Sequence, residues 1–230
     1  MRLQALSFFF DIDGTITRYR QGALAADRLL DGNFLFPIIR DMLVERGVSS
    51  DDAAAMIRRE AVENVFWCYG DFIRKFGLRQ PAAAERFRIW HRENLDVFPD
   101  TVELIRSLAA EQTPLYIVSN NPVDGCRMKL ERAGLDPELF RGIFGTDVMK
   151  GCKHLAASWE RALNLAGVRP ESVVTVGDDV EEDGVVPRSC GVGVGVILER
   201  DSALRIRRAD GFLHVNDARV IPGALTGTEF

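Results

Sequence analysis

Five short apolar runs limit what this chain can fold into: "LSFFFDI" at 6–12, "PLYIVSN" at 114–120, "RGIFGT" at 141–146, "SVVTVGDD" at 172–179 and "GVGVGVIL" at 191–198. Each has the length of a strand, and near-continuous apolarity means burial on both faces, as in a parallel sheet. Helical patterns separate the later runs. "DTVELIRSLAAE" carries Val102, Ile105 and Leu108 at helical spacing, with Asp100 or Thr101 as its cap. "KHLAASWERALNLAGV" places Leu155, Trp159, Ala162 and Leu163 on one face and Gly167 at its stop. Strand–helix alternation predicts a doubly wound, mainly parallel α/β core. The alternating glycines of "GVGVGV" are read as close packing in a buried strand, not as a nucleotide loop.

Residues 18–97 break that rhythm. Leu35, Ile38, Ile39 and Met42, then Ile57, Ala61 and Val65, then Phe72, Ile73 and Phe76, then Phe87 and Trp90 follow helical spacing. Ser50 or Asp51 is expected to cap one helix, Pro81 to open another, and Trp67 and Trp90 to be core. A parallel crossover needs only about a dozen residues. The stretch is therefore expected to be an inserted all-helical domain, a lid entering just after the first strand. The division is 1–17 with 98–230 as the core and 18–97 as the insertion.

Composition removes several classes. A net charge of −5 over 230 residues provides no cationic field for nucleic acid or an anionic membrane surface. The four cysteines, Cys68, Cys126, Cys152 and Cys190, form no C-x-x-C pair, so reduced thiols in a cytoplasmic protein are expected. No apolar run reaches the ~20 residues of a membrane helix. Oligomeric state stays open.

Sites in open α/β sheets form at the carboxyl ends of the strands. The first run ends in Asp11 and Asp13, on the same side of an extended chain. Two such charges repel by about 4 kcal/mol at 4 Å in a medium of effective dielectric near 20, so something must offset them. The second run ends in Ser119-Asn120-Asn121-Pro122, a hydroxyl and amides ahead of a helix whose N–H groups suit an anion. Lys150 and Lys153 precede a further helix, and Gly177 is followed by Asp178, Asp179 and Asp183. Carboxylates, a hydroxyl and a cation together suit a hard divalent metal and a phosphoryl group.

On these residues the chain resembles the haloacid dehalogenase superfamily, in its phosphohydrolase branch with a helical cap after the first strand (phosphoglycolate phosphatase-like). Asp11-Ile12-Asp13-Gly14-Thr15, Ser119 after "YIV", Lys153 ahead of Gly167-Val168, and Gly177-Asp178-Asp179 with Asp183 correspond to its four motifs. The resemblance implies a Rossmann-like core and Mg²⁺ as cofactor. Asp11 is then the nucleophile that becomes an aspartyl-phosphate, and Asp13 protonates the leaving oxygen and later activates water. Ser119, Asn120 and Lys153 would bind the phosphoryl group. Asp11, the Asp13 backbone carbonyl and Asp178 would hold the metal, with Asp179 or Asp183 orienting these ligands. The third motif lacks its usual Pro, so Lys150 stays open as the alternative lysine. The implied substrate is a small phosphorylated metabolite; the haloalkanoate-cleaving branch generally lacks a residue like Asp13. Two other readings remain: a phosphotransferase or mutase of the same superfamily, and a non-catalytic phosphate- or partner-binding protein that keeps the fold.

Overall fold

The computed structural model describes residues 3–20, 35–63 and 69–227. Val65, Trp67 and Cys68, read above as helix, core and free thiol, lie outside the described residues. The strands are β1 (Ser7–Phe10), β2 (Thr17–Tyr19), β3 (Leu95–Val97), β4 (Leu115–Val118), β5 (Gly142–Phe144), β6 (Val173–Gly177), β7 (Val194–Leu198), β8 (Ile206–Ala209) and β9 (Phe212–Val215). The helices are α1 (Leu35–Val44), α2 (Ser50–Glu63), α3 (Tyr69–Lys75), α4 (Gln80–Asn94), α5 (Pro99–Ala110), α6 (Val123–Arg132), α7 (Thr146–Met149), α8 (Ala156–Ala166), α9 (Val186–Ser189) and α10 (Ile221–Thr226).

Among the described residues, seven strands form one sheet in the order β5-β4-β1-β6-β7-β9-β8. The pairs from β5 to β9 are parallel, and β8 joins β9 antiparallel. This is the doubly wound core that the apolar runs predict. β1 lies between β4 and β6, where the chain winds to either side, and ligands bind at such a switch point.

The three phenylalanines of β1 explain its rigidity. Successive side chains point to opposite faces. Phe8 and Phe10 enter one core with Ile105, Ile117, Leu130 and Val176. Phe9 enters the other with Tyr116, Phe144 and Trp159, stacking on Tyr116 at 4.7 Å between ring centroids. Burying each such side chain contributes about 1.5–3 kcal/mol. β1 is thus clamped from both faces, and the backbone just beyond it cannot shift.

The chain divides into two compact units, residues 1–18 with 97–230, and residues 19–96. The second contains α1–α4 around Ile39, Leu43, Ala53, Ile57, Phe87 and Leu95. Pro81 stands in the first turn of α4 as expected. The cap of α2 is Ser49 and not Ser50 or Asp51: its Oγ accepts from Asp52 N at 3.1 Å. The helix therefore starts one residue earlier than a Ser50 cap would place it. Arg20 donates to Asp96 (2.9 Å) and to the Glu93 carbonyl (2.7 Å), tying the ends of this unit together.

Neither Asp100 nor Thr101 caps α5. Phe98 occupies that position, and both polar side chains turn inward to Arg200. No helix among the described residues is long and apolar enough to cross a membrane.

Candidate active site

Register brings the strand ends level. Phe10 pairs with Ile117 on one side and Val176 on the other, so Asp11 follows β1 beside the ends of β4 and β6. Asp11 N still donates to Val176 O (2.9 Å), which extends the ladder by one residue. The chain then turns tightly. The Ile12 carbonyl accepts from Thr15, Ile16 and Thr17 N, and Gly14 N donates to Thr17 O (2.7 Å). Gly14 has φ +79°, and a Cβ there would lie 1.9 Å from Asp178 Oδ2. Only glycine lets this turn pass so close to the second carboxylate loop.

Gly14→Ala is expected to keep the fold at a strain cost of about 1–2 kcal/mol. Displacing Asp178 should lower turnover by about 10²-fold, the effect of misplacing a reacting group by about 1 Å. The check is the melting temperature with and without a divalent cation: any cation-induced rise in the wild type should disappear in the variant, and an equal rise in both would show that Asp178 can move without loss.

Asp11 is buried and its Oδ1 accepts from Lys153 Nζ at 2.7 Å. The same ammonium, only 3% exposed, donates to Asp183 Oδ1 at 2.8 Å. Asp183 is held from three further directions. Its backbone carbonyl accepts from Thr175 Oγ1 of β6 (2.6 Å), its Oδ2 from Asp179 N (3.2 Å), and its own N donates to Asp179 O. It sits in a π-helical turn, Glu181–Val185, a rare geometry that recurs at functional sites. Lys150, the alternative lysine, is exposed and ends α7 in a left-handed conformation.

Carboxylate oxygens of Asp11, Asp178 and Asp183 lie within 4.8 Å of one another. One ammonium faces three acids, so negative charge is in excess. Burial pushes the Asp11 carboxyl up to about 7, and Asp183 and Asp13 add to this against the opposing pull of Lys153. Asp178 rises to about 6, by desolvation first and Asp11 second. Asp183 is raised too, chiefly by burial. Burial alone would lower the pKa of Lys153, but Asp11 and Asp183 overcome it and hold the ammonium charged. A donor set of carboxylates with surplus negative charge suits a hard divalent cation that prefers oxygen ligands.

Asp13 faces a different set of partners. Its side chain is 37% exposed and lies outside that acidic group. Lys129 Nζ of α6 reaches Oδ1 at 2.7 Å and Oδ2 at 2.6 Å, and Asn121 Nδ2 donates to Oδ2 at 2.7 Å. Asn121 also donates to Ser119 Oγ, from Nδ2 (2.9 Å) and from its backbone N (3.2 Å). Both acceptor positions of the Ser119 hydroxyl are then filled, so what it offers a ligand is its O–H.

Asn120, expected at the phosphate, uses its side chain internally. Nδ2 donates to Glu182 Oε2 and Oδ1 accepts from Lys153 N, both at 2.7 Å. Asp179 is likewise occupied, with Oδ1 accepting from Glu182 N at 2.8 Å.

Sequence reasoning missed Lys129 and Arg200, and gave Asn121, though it named it at the strand end, no role of its own. Arg200 donates to both Asp100 oxygens (3.0 and 2.8 Å), to Thr101 Oγ1 (2.8 Å) and to the Thr15 carbonyl (2.9 Å). Its guanidinium lies 3.6 Å above the Phe98 ring. It thereby anchors the turn after Asp13. A signal for Lys129 existed: it shares the inward face of α6 with Cys126, Leu130 and Ala133, where a solvated lysine does not belong.

Comparison with known proteins agrees with this fold. Enolase-phosphatase E1 of Xylella fastidiosa (strain 9a5c) is 28% identical over 131 residues, 55% of this chain and 55% of that protein. The chain thus matches about half the length of that curated relative. Among solved structures, a HAD phosphatase from Thermococcus onnurineus superposes with a TM-score of 0.63 at 23% identity, covering 98% of this chain and 100% of that one. A 2-haloacid dehalogenase from Pseudomonas syringae pv. Tomato DC3000 does so with 0.58 at 18% identity, covering 96% and 99%. Both share the fold, which serves more than one chemistry. The profile of the haloacid dehalogenase-like hydrolases matches residues 7–189, and with its strand order and acidic strand ends this chain belongs to that family of hydrolases.

Proposed function

We propose that the protein is a Mg²⁺-dependent phosphatase of a small phosphorylated metabolite, with Asp11 as nucleophile. The observation that carries this reading is the separation of two aspartates by their partners. Asp11 is held on one oxygen by Lys153 among metal-suited carboxylates, while Asp13, two residues on, is held apart by Lys129 and Asn121. A second acid so close to the nucleophile serves a reaction whose leaving oxygen needs a proton. Halide departure needs none.

Asp11 Oδ2 accepts no hydrogen bond from the described residues, so Lys153 holds the carboxylate without blocking it. One Asp11 oxygen attacks phosphorus in line, the bond from phosphorus to the leaving oxygen breaks, and that oxygen takes a proton from Asp13. Water then attacks the aspartyl-phosphate and gives its proton to Asp13. The bond from phosphorus to Asp11 breaks, leaving inorganic phosphate and both aspartates restored. Asp11, Asp178 and the Asp13 backbone carbonyl would hold Mg²⁺, which neutralises charge on the phosphoryl oxygens when bound; Asp183 supports this set. The Ser119 hydroxyl, the backbone N–H of Asn120 and the Lys153 ammonium serve as donors to those oxygens. Substrate selection is assigned to the inserted residues 18–97, which the chain enters just after the catalytic turn.

The test is phosphate release from a panel of small phosphomonoesters, with and without Mg²⁺, and with added acceptor alcohols. Release that requires Mg²⁺ and is indifferent to acceptors supports hydrolysis. Capture of the phosphoryl group by an acceptor would make the protein a transferase, and no turnover with retained phosphate binding would make it a binding protein.

A further inference from the structure

Lys129 has no part in the four motifs, yet it is fully buried and reaches across 116 residues of sequence to both oxygens of Asp13. Burying an ammonium costs several kcal/mol unless it is well partnered. Arg127 on the same helix does not bear that cost: it is exposed and pairs with Glu138. Among the described residues, Lys129 Nζ donates to Asp13 Oδ1 (2.7 Å), Asp13 Oδ2 (2.6 Å) and Asn121 Oδ1 (3.0 Å).

The two Asp13 oxygens are treated unequally. Oδ2 accepts from Lys129 and Asn121, which fills its two lone pairs, whereas among the described residues Oδ1 accepts from Lys129 alone. A carboxylate on an Asp side chain otherwise turns broadly about its last bond. Here Oδ2 is anchored twice, and Oδ1 keeps one lone pair unfilled by the described residues, in a side chain that is itself 37% exposed.

We propose that Lys129, with Asn121, is the positioning residue for Asp13, fixing the carboxylate by Oδ2 so that Oδ1 alone exchanges the proton with the leaving group. This rests on the phosphatase reading. Lys153 and Lys129 then divide the work, one setting the nucleophile and the other the proton donor. The contact between Lys129 and Asn121 also links the Asp13 carboxylate to Ser119, so proton donor and hydroxyl donor are set by one network.

The test uses two esters of similar size, phenyl phosphate and p-nitrophenyl phosphate. The phenolate of the first is much the stronger base and needs a proton to leave. kcat/KM covers the steps up to departure of that group, so hydrolysis of the aspartyl-phosphate does not enter it. Lys129→Met should lower kcat/KM for phenyl phosphate by about 10²-fold, the usual contribution of a placed general acid. It should lower the value for p-nitrophenyl phosphate far less. Lys129→Arg, which retains two N–H groups for two oxygens, should recover much of the loss. Lys129→Met in an Asp13→Ala background should add nothing further.

Should Lys129→Met fail to fold, Asn121→Ala reads the same ratio, because it removes one of the two anchors of Oδ2 while keeping the Lys129–Asp13 ion pair. Equal losses on both esters, or full additivity with Asp13→Ala, overturn the role of Lys129 alone. Absence of Mg²⁺-dependent release from either ester by the wild type overturns the phosphatase reading and this role with it.

Discussion

Replacing Lys153 with Met is expected to destabilise the protein by about 3–5 kcal/mol, the cost of removing one partner of a buried ion pair. Whole domains are stable by only about 5–15 kcal/mol, so this loss is near the limit of what the fold survives. The ammonium is the shared neighbour of Asp11 (2.7 Å) and Asp183 (2.8 Å), both buried, and its loss leaves two carboxylates facing each other without compensation. Two features identify the mechanism. Mg²⁺ should restore part of the stability, since a cation can replace the missing charge. Asp183→Asn should be far less damaging in the Lys153→Met background than alone, with a coupling of about 0.5–3 kcal/mol. Chemical denaturation of the four proteins checks both. Purely additive losses would mean that the ammonium and the Asp183 carboxylate do not stabilise one another. Activity should fall with the loss of one donor to the phosphoryl group, by about 10²–10³-fold.

Asp11→Asn is expected to abolish phosphate release on every substrate, since an amide oxygen does not form the aspartyl-phosphate. Its effect on stability should run the other way. The Asp11 carboxyl is raised from 3.8 to about 7 and that of Asp178 to about 6, so the folded metal-free protein holds protons that the unfolded chain releases at lower pH. Stability then falls as pH rises through the window between the unfolded value near 4 and the folded value near 7. This is the reverse of an ordinary salt-bridged aspartate. In EDTA, the wild-type melting temperature should drop between pH 5 and pH 8, and Mg²⁺ at pH 8 should recover it. Asp11→Asn should fall less over the same range and melt higher than wild type at pH 8. Equal slopes for the two proteins would show that Asp11 carries no such penalty.

Much of the core follows from local pattern. Strands buried on both faces must be apolar throughout, and "SFFF", "LYIV" and "VVTVG" meet that demand, as β1, β4 and β6 show. β8 lacked such a signal. Ile206–Ala209 is an edge strand half open to solvent, carrying Arg207 and Arg208. An edge tolerates charge, which hides it among loop sequences. Asp100 shows the same limit at a helix start: an acid in the first turn reads as a cap, yet here burial and Arg200 claim it.

At the site, the sequence alone determined the positions that lie at strand ends. Asp11, Asp13, Ser119 and Asp178 stand at or just past the ends of apolar runs, and chain period places them there, whereas Asp183 lies farther on, in the helical turn after β6. Tertiary structure decided which groups touch. Adjacent asparagines diverge: Asn120 turns to Glu182 and the Lys153 backbone, Asn121 to Asp13 and Ser119. Lys150 lies outside, where it ends α7 in a left-handed conformation, and Lys153, three residues on, lies inside. Lys129 meets Asp13 only because α6 packs Cys126 and Leu130 into the core that also holds Phe8 and Phe10. Periodicity is written in neighbours three or four residues apart, whereas a contact across 116 residues exists only once two elements are packed together.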